Sequence, residues 1–208
     1  KPETITYAKL DGQDLPIDIY RPKARADGAA APMFIYIHGG GWGAETLKQR
    51  QSDFRWFAER GYLVMSFEYP LASETRPTWN VAPSLLGCAL VWVNANAARF
   101  GGDPARLALW GESAGGNLAL NLSYMANAGT LKPSCPGTLP RIAATAALYP
   151  VVDPERMYHN PDPLIGVFGR MMTTRYTGGT PAQFPDRYRE IGSATHISDK
   201  APPTLLIV

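Results

Sequence analysis

The chain has 208 residues, of which 45% are hydrophobic and 18% are charged. This composition supports one domain with a substantial core and excludes a disordered chain. Twenty basic and eighteen acidic side chains leave a net charge of +2, which is too balanced to indicate a nucleic-acid partner.

The predicted elements alternate along the chain. Apolar and polar residues alternate around the turn signal Asp11-Gly12, which predicts a β-hairpin at a sheet edge. Later apolar runs predict strands covered on both faces, and apolar residues three and four apart predict helices. In chain order we predict strands over 4–9, 15–20 and 32–37, a helix over 49–60, a strand over 62–67, a helix over 81–100, a strand over 107–110, a helix over 114–127, and strands over 143–149 and 204–208.

Strands that alternate with helices after an antiparallel start predict an α/β fold. We expect a mostly parallel sheet with helices on both faces, whose ligands bind at the carboxyl ends of the strands. Residues 154–190 contain many apolar side chains among several Pro and Gly, and we predict an irregular segment there. It is too long for a simple connection, so we interpret it as a cap or lid within a single domain over 1–208.

The sequence Gly-Glu-Ser-Ala-Gly over residues 111–115 lies between a predicted strand and a predicted helix. A serine between two glycines at such a junction is typical of a nucleophile elbow, because only small residues fit beside so tight a turn. The turn presents the serine hydroxyl to solvent. This pattern predicts acyl-transfer chemistry at Ser113.

A second motif, His-Gly-Gly-Gly-Trp over residues 38–42, follows another predicted strand. A glycine loop at this place can direct bare backbone N–H groups at a developing oxyanion. Both motifs fall at the carboxyl edge of the predicted sheet. We predict that Trp42 borders the acyl or alcohol pocket, with packing under the loop as an equal alternative.

At these residues the chain resembles the hormone-sensitive-lipase-like group of microbial carboxylesterases, which are α/β-hydrolases. The resemblance runs over about residues 4–208 and includes Gly-Asp-Pro at 102–104, just before the strand that leads to the elbow. It implies that Ser113 is the nucleophile and that His38 holds the glycine loop. The oxyanion donors implied by the resemblance are the N–H groups of Gly40, Gly41 and Ala114.

The chain departs from the family pattern in three places. It has Tyr-Pro-Leu-Ala-Ser-Glu over residues 69–74 where relatives usually have Tyr-Arg-Leu-Ala-Pro-Glu, and it has Glu112 where many have Asp. Relatives also continue past the strand equivalent to 204–208 into a loop with the triad acid and a later loop with the catalytic histidine. We therefore expect both groups beyond Val208, in a fold that lacks its C-terminal part here, and we expect the 208-residue chain alone to be nearly inactive.

Within the chain, other candidates for the triad are weaker. Asp153 follows a predicted strand, but we expect it to cap a helix beside Pro154. His159 and His196 are the histidines that follow Ser113, and we expect surface or structural roles for both.

The expected reaction is hydrolysis of small to medium acyl esters by a serine carboxylesterase, with a small-molecule ester as partner and neither a metal nor a cofactor. The resemblance leaves two alternatives open: an arylformamidase-type amide hydrolase and a non-catalytic binding protein such as the gibberellin receptor. No run of eighteen apolar residues is present, so we predict no membrane span. Cys88 and Cys135 lack metal-site spacing, and we predict unpaired thiols, with one disulfide as the alternative.

Overall fold

The computed structural model describes residues 1–24 and 28–208. Within these residues a seven-stranded mixed sheet forms the centre of the molecule. Its strands are β1 (Glu3–Leu10), β2 (Gln13–Tyr20), β3 (Ala31–Ile37), β4 (Leu63–Phe67), β5 (Gly102–Glu112), β6 (Ala144–Leu148) and β7 (Thr204–Ile207). Their spatial order is β1-β2-β4-β3-β5-β6-β7, with β2 antiparallel to β1 and β4 and all later pairs parallel.

Helices cover both faces of this sheet, which confirms the predicted α/β fold class. They are α1 (Gln51–Glu59), α2 (Val81–Asn96), α3 (Ser113–Ala128), α4 (Pro154–Tyr158), α5 (Pro163–Thr177) and α6 (Pro185–Ile191), with short 3-10 turns at Ala97–Phe100 and Ser193–His196. On one face Phe54 of α1 packs against Tyr36 and Trp110. On the other face α2 and α3 pack over the apolar side chains of β3, β4 and β5.

The register of the parallel strands brings the two predicted motifs together. Ile37, the last residue of β3, pairs with Gly111 near the end of β5, and Gly111 pairs in turn with Ala147 of β6. The glycine loop follows Ile37 and the elbow follows Gly111. Both therefore emerge side by side at the carboxyl edge of the sheet, where ligands of such sheets bind.

The segment that the sequence predicts to be irregular, 154–190, contains helices instead. Asp162 caps α5 by accepting hydrogen bonds from the N–H groups of Leu164 and Ile165, and Gly178 ends it with a left-handed φ of 84°. These signals are in the sequence, but the helix lacks a polar face. Its exposed large apolar side chains are Leu164, Ile165, Val167, Phe168 and Met171.

The prediction of unpaired thiols was wrong, because Cys88 and Cys135 form a disulfide. The two residues are 47 positions apart in sequence, and their Cα atoms lie 5.7 Å apart. The bond joins α2 to the loop that follows α3. Ser84 reinforces the same junction by donating a hydrogen bond to the Lys132 carbonyl oxygen at 3.1 Å.

Loss of this disulfide is expected to lower the free energy of unfolding by about 2–4 kcal/mol, because the closed loop restricts the unfolded chain. The measurement is urea unfolding of the wild type and of the Cys88→Ser/Cys135→Ser variant, each with and without a reductant. The reductant should shift the midpoint of the wild type and leave that of the double variant unchanged. Equal midpoints for all samples would contradict a stabilising role.

One helical stretch in the described part of the chain, Val81–Phe100, is long and apolar enough to cross a membrane by length and composition, with a mean hydropathy of 1.4. This is weak evidence, because helices in protein cores pass the same test. Here much of α2 is buried against the sheet, including Leu86, Ala89 and Val93.

Candidate active site

Ser113 occupies the sharp turn between β5 and α3. Its φ of 52° lies in the left-handed region, which is uncommon for a residue with a side chain and is found at strained functional turns. The residue is half-buried, and among the described residues no protein atom forms a hydrogen bond with its hydroxyl. The carbonyl oxygen of Ser113 accepts a hydrogen bond from the N–H of Val151 at 3.3 Å. The side chain is thus left free while the backbone is held.

The glycines of the elbow are required by close packing. A Cβ atom at Gly115 would overlap the carbonyl oxygens of Ile37 and His38, and one at Gly111 would overlap the carbonyl oxygen of Gly115. The first turn of α3 therefore rests directly on the end of β3. This contact explains why small residues flank Ser113, and it fixes the elbow against the start of the glycine loop.

The glycine loop has an unusual backbone. Gly40, Gly41 and Trp42 are consecutive left-handed residues, with φ of 85°, 58° and 58°. The loop closes through a hydrogen bond from the N–H of Gly43 to the carbonyl oxygen of Gly40 at 3.1 Å. A left-handed φ at Trp42 is unfavourable for a residue with a bulky side chain, so surrounding contacts must impose it.

Three backbone N–H groups at this edge lack an acceptor. In the described ranges, no carbonyl or side-chain oxygen accepts a hydrogen bond from Gly40, Gly41 or Ala114. Ala114 lies in the first turn of α3, where N–H groups have no partner within the helix. Gly41 is buried, and a buried N–H without a partner is rare in folded proteins. The arrangement can accept a negatively charged oxygen.

His38 anchors the start of the loop. Its ring is fully buried, with Nε2 2.9 Å from the Glu68 carboxylate and Nδ1 3.1 Å from the Gly39 carbonyl oxygen. The ring stacks on Tyr69 at a centroid distance of 4.3 Å, and the Tyr69 hydroxyl lies 3.0 Å from the His38 carbonyl oxygen. This is the position of a residue that holds the loop in place.

Helix α5 packs against the other side of the loop. A Cβ atom at Gly41 would overlap the side chain of Met172, and Trp42 stacks on Tyr176 with ring centroids 4.6 Å apart and planes 5° apart. Trp42 is fully buried. Of the two predictions for Trp42, this position agrees with packing under the glycine loop, because in this structure the side chain has no exposed surface that could contact a substrate.

One cluster of hydrogen-bonded side chains beside the elbow was not predicted from the sequence, and the carboxylate of Glu112 lies at its centre. Glu112 accepts hydrogen bonds from the hydroxyls of Tyr36 and Tyr149, each at 2.6 Å, and from Nε of Arg50 at 2.8 Å. A second nitrogen of Arg50, Nη2, contacts the same carboxylate oxygen. Burial opposes ionisation, but the hydrogen bonds from Arg50, Tyr149 and Tyr36 outweigh it and hold the pKa of Glu112 below its usual 4.5.

The structure also places the other acid and histidine candidates. Asp153 caps α4 by accepting a hydrogen bond from the N–H of Arg156 at 2.9 Å, as expected. His159 is exposed beside Tyr158. His196 contacts the Glu190 carbonyl oxygen through Nε2 at 2.7 Å. In the described part of the chain no hydrogen bond joins Ser113 to any of the three.

His196 lines a cavity of about 720 Å³ together with the second half of α3, including Asn121 and Met125. Asn121 lies eight residues beyond Ser113 on that helix, or about 12 Å along its axis. The cavity therefore borders a part of α3 that is remote from the elbow.

Comparison with known proteins gives a consistent picture. The family model BD-FAE matches residues 17–208. Carboxylesterase NlhH of Mycobacterium tuberculosis is 37% identical over 124 residues, which are 59% of this chain and 37% of that protein. Esterase LipQ of the same organism is 28% identical over 200 residues, which are 94% of this chain and 45% of that protein. The chain spans less than half of the length of these two relatives.

Among solved structures, the fold is similar to that of an esterase from Thermogutta terrifontis, Est2, in its propionate-bound form. The TM-score is 0.74 at 24% sequence identity, and the match covers 99% of this chain and 70% of that one. The same esterase phosphonylated by sarin gives a TM-score of 0.77 at 23% identity. At this level of identity the comparison shows a shared fold.

Proposed function

Because the chain belongs to the BD-FAE family and has the α/β-hydrolase fold of hormone-sensitive-lipase-like carboxylesterases, we propose that it carries the nucleophile and oxyanion hole of a serine carboxylesterase. The observation that carries this proposal is the free hydroxyl of Ser113 on a left-handed turn, at the same sheet edge as three N–H groups that have no acceptor. NlhH and LipQ, which are named as esterases, support the same chemistry.

In the proposed reaction a histidine removes the proton from the Ser113 hydroxyl as Oγ attacks the carbonyl carbon of the ester. The carbonyl electron pair moves to the oxygen, which the N–H groups of Gly40, Gly41 and Ala114 stabilise. The alcohol leaves with the proton from the histidine, and an acyl-enzyme remains on Ser113. Water then attacks this ester with the same histidine as base, and the carboxylic acid is released.

We propose that the acid and histidine of the triad follow Val208 in the full-length protein. The partial coverage of the relatives supports this proposal, as does β7, whose Leu205, Leu206 and Ile207 are all exposed at the sheet edge. Asp153, which caps α4, and His196, which borders the half of α3 remote from the elbow, are assigned no role in this proposal. Without a base at Ser113, the 208-residue chain alone would retain only the contribution of binding and the oxyanion hole.

We propose that residues 154–190 form the cap of this site. Gly169 of α5 packs against Met157 of α4, which follows β6, and Met172 packs against the glycine loop, which follows β3. Because β5 lies between β3 and β6, α5 extends along the edge on both sides of the elbow. Its exposed apolar side chains, including Ile165 and Phe168, favour small to medium acyl and aromatic esters over charged substrates.

The reaction class is tested by comparing kcat/KM of the full-length protein for p-nitrophenyl acetate and for N-formylkynurenine. We expect kcat/KM to be higher for the ester than for the formamide, because p-nitrophenol is a better leaving group than an amine, which must take up a proton from the histidine to leave. A preference for the formyl amide would favour the arylformamidase alternative. Tight binding of either compound without turnover would favour a non-catalytic role.

A further inference from the structure

We propose that Glu112 is a positioning residue that fixes the nucleophile elbow relative to the oxyanion loop, acting through Arg50. The inference rests on the proposed function, because it assigns a role to the residue that directly precedes the proposed nucleophile. It concerns the geometry between two parts of one site rather than contact with a substrate.

The segment from His38 to Arg50, which begins with the glycine loop and connects β3 to α1, is held at both ends by buried or half-buried groups. At its start, His38 is fixed by Glu68 and Tyr69. At its far end, Arg50 precedes α1 and binds Glu112 through Nε at 2.8 Å and through Nη2. Among the described residues of this segment, Arg50 is the one whose side chain forms an ion pair with the strand that leads to Ser113.

Glu112 also supports the loop from below. A Cβ atom at Gly39 would lie 3.2 Å from the Glu112 carbonyl oxygen and 3.5 Å from its Cγ, so the loop backbone rests on this residue. The side chain of Glu112 is only 4% exposed, whereas that of Arg50 is 29% exposed. A buried carboxylate with hydrogen bonds from a guanidinium group and two hydroxyls has little freedom to move.

Tyr149 is a further hydrogen-bond partner of Glu112 and connects it to the neighbouring strand β6. Tyr149 follows β6, has a left-handed φ of 36°, and donates its hydroxyl to the carboxylate oxygen that Arg50 binds. The end of β5, the turn after β6 and the residue that precedes α1 therefore meet at one carboxylate. A shift of this group would move Ser113 relative to the N–H groups of Gly40 and Gly41. Displacements of about 1 Å in such sites cost up to about a hundredfold in rate.

The test is steady-state kinetics of Glu112→Gln in the full-length protein with p-nitrophenyl acetate. The rate is expressed per site titrated by burst release of p-nitrophenol from diethyl p-nitrophenyl phosphate. We expect kcat to fall about 10- to 100-fold while KM stays within about threefold, because orientation and not substrate binding is lost. Arg50→Lys should lower kcat similarly, and the double variant should be no worse than the worse single variant.

The matched control is Asp103→Asn. Asp103 lies on the same strand and accepts a hydrogen bond from Nε of Arg106 at 2.8 Å, but the pair is remote from the elbow. Its kcat should equal that of the wild type. Tyr149→Phe removes the hydrogen bond that its hydroxyl donates to Glu112 and the longer one, 3.4 Å, that it accepts from Nη2 of Arg50. Because Tyr149 is 54% exposed, this variant tests the inference if Glu112→Gln fails to fold.

An unchanged kcat per titrated site in Glu112→Gln, or in Arg50→Lys and Tyr149→Phe together, would overturn the inference. So would a rise in KM at constant kcat, or equal losses in Asp103→Asn. The proposed function fails separately: hydrolysis that persists in Ser113→Ala would remove the nucleophile, whatever Glu112→Gln does.

Discussion

Replacement of Ser113 by alanine is expected to abolish hydrolysis of p-nitrophenyl acetate by the full-length protein. Loss of the nucleophile in a serine hydrolase lowers kcat by about 10⁴-fold or more, because neither the oxyanion hole nor the base can form an acyl-enzyme without it. Ser113 makes no side-chain hydrogen bond within the described residues, so alanine removes no stabilising contact there. The melting temperature should therefore change little.

The control for this variant is Ser52→Ala. Ser52 is exposed on α1, on the face of the sheet opposite to α3, and its loss should leave both activity and melting temperature unchanged. Hydrolysis in Ser113→Ala above about 1% of the wild-type rate would exclude Ser113 as the nucleophile.

A second large effect is expected at Gly40. The residue has a φ of 85°, and an added Cβ atom would overlap the carbonyl group of Ala44. Gly40→Val must therefore shift the loop and move the N–H groups of Gly40 and Gly41. Loss of one oxyanion donor lowers kcat by about 10²- to 10³-fold, and we expect a loss of this size with KM little changed. Far-ultraviolet circular dichroism should show that the rest of the fold persists.

The matched control separates backbone strain from loss of the oxyanion donors. Gly12 has a φ of 80° in the hairpin turn between β1 and β2, and an added Cβ atom there meets nothing within 4 Å. Gly12→Val places the same side chain at a similar left-handed φ, but without steric overlap. It should lower the melting temperature through backbone strain and leave kcat unchanged. Wild-type turnover in Gly40→Val would show that this loop does not form the oxyanion hole.

The order of strands and helices was predictable because each signal is local. Buried parallel strands such as β3 are continuous apolar runs, and glycines such as Gly61 and Gly129 end the helices before them. The two motifs could be placed at one edge because parallel strands all end on the same side. That inference needs no side-chain detail, and the pairing of Ile37 with Gly111 agrees with it.

Features that depend on distant parts of the chain were missed. The Cys88–Cys135 disulfide requires α2 and the loop after α3 to meet, and no spacing rule predicts that contact. The partners of Glu112 come from three further segments, so its cluster has no sequence signature. Helix α5 was not predicted, because its apolar residues lie among several Pro and Gly. In the structure Leu164, Val167 and Phe168 are exposed, where a surface helix usually has polar residues.

We expect Ser113 to become covalently acylated during turnover. The direct measurement is peptide mass spectrometry of the full-length protein after treatment with diethyl p-nitrophenyl phosphate, a triester that traps serine nucleophiles as stable phosphoryl adducts. We expect one diethylphosphoryl group, located on Ser113, with a parallel loss of ester hydrolysis. Complete inhibition with the label on another residue, or an unlabelled Ser113 in an inhibited protein, would contradict it.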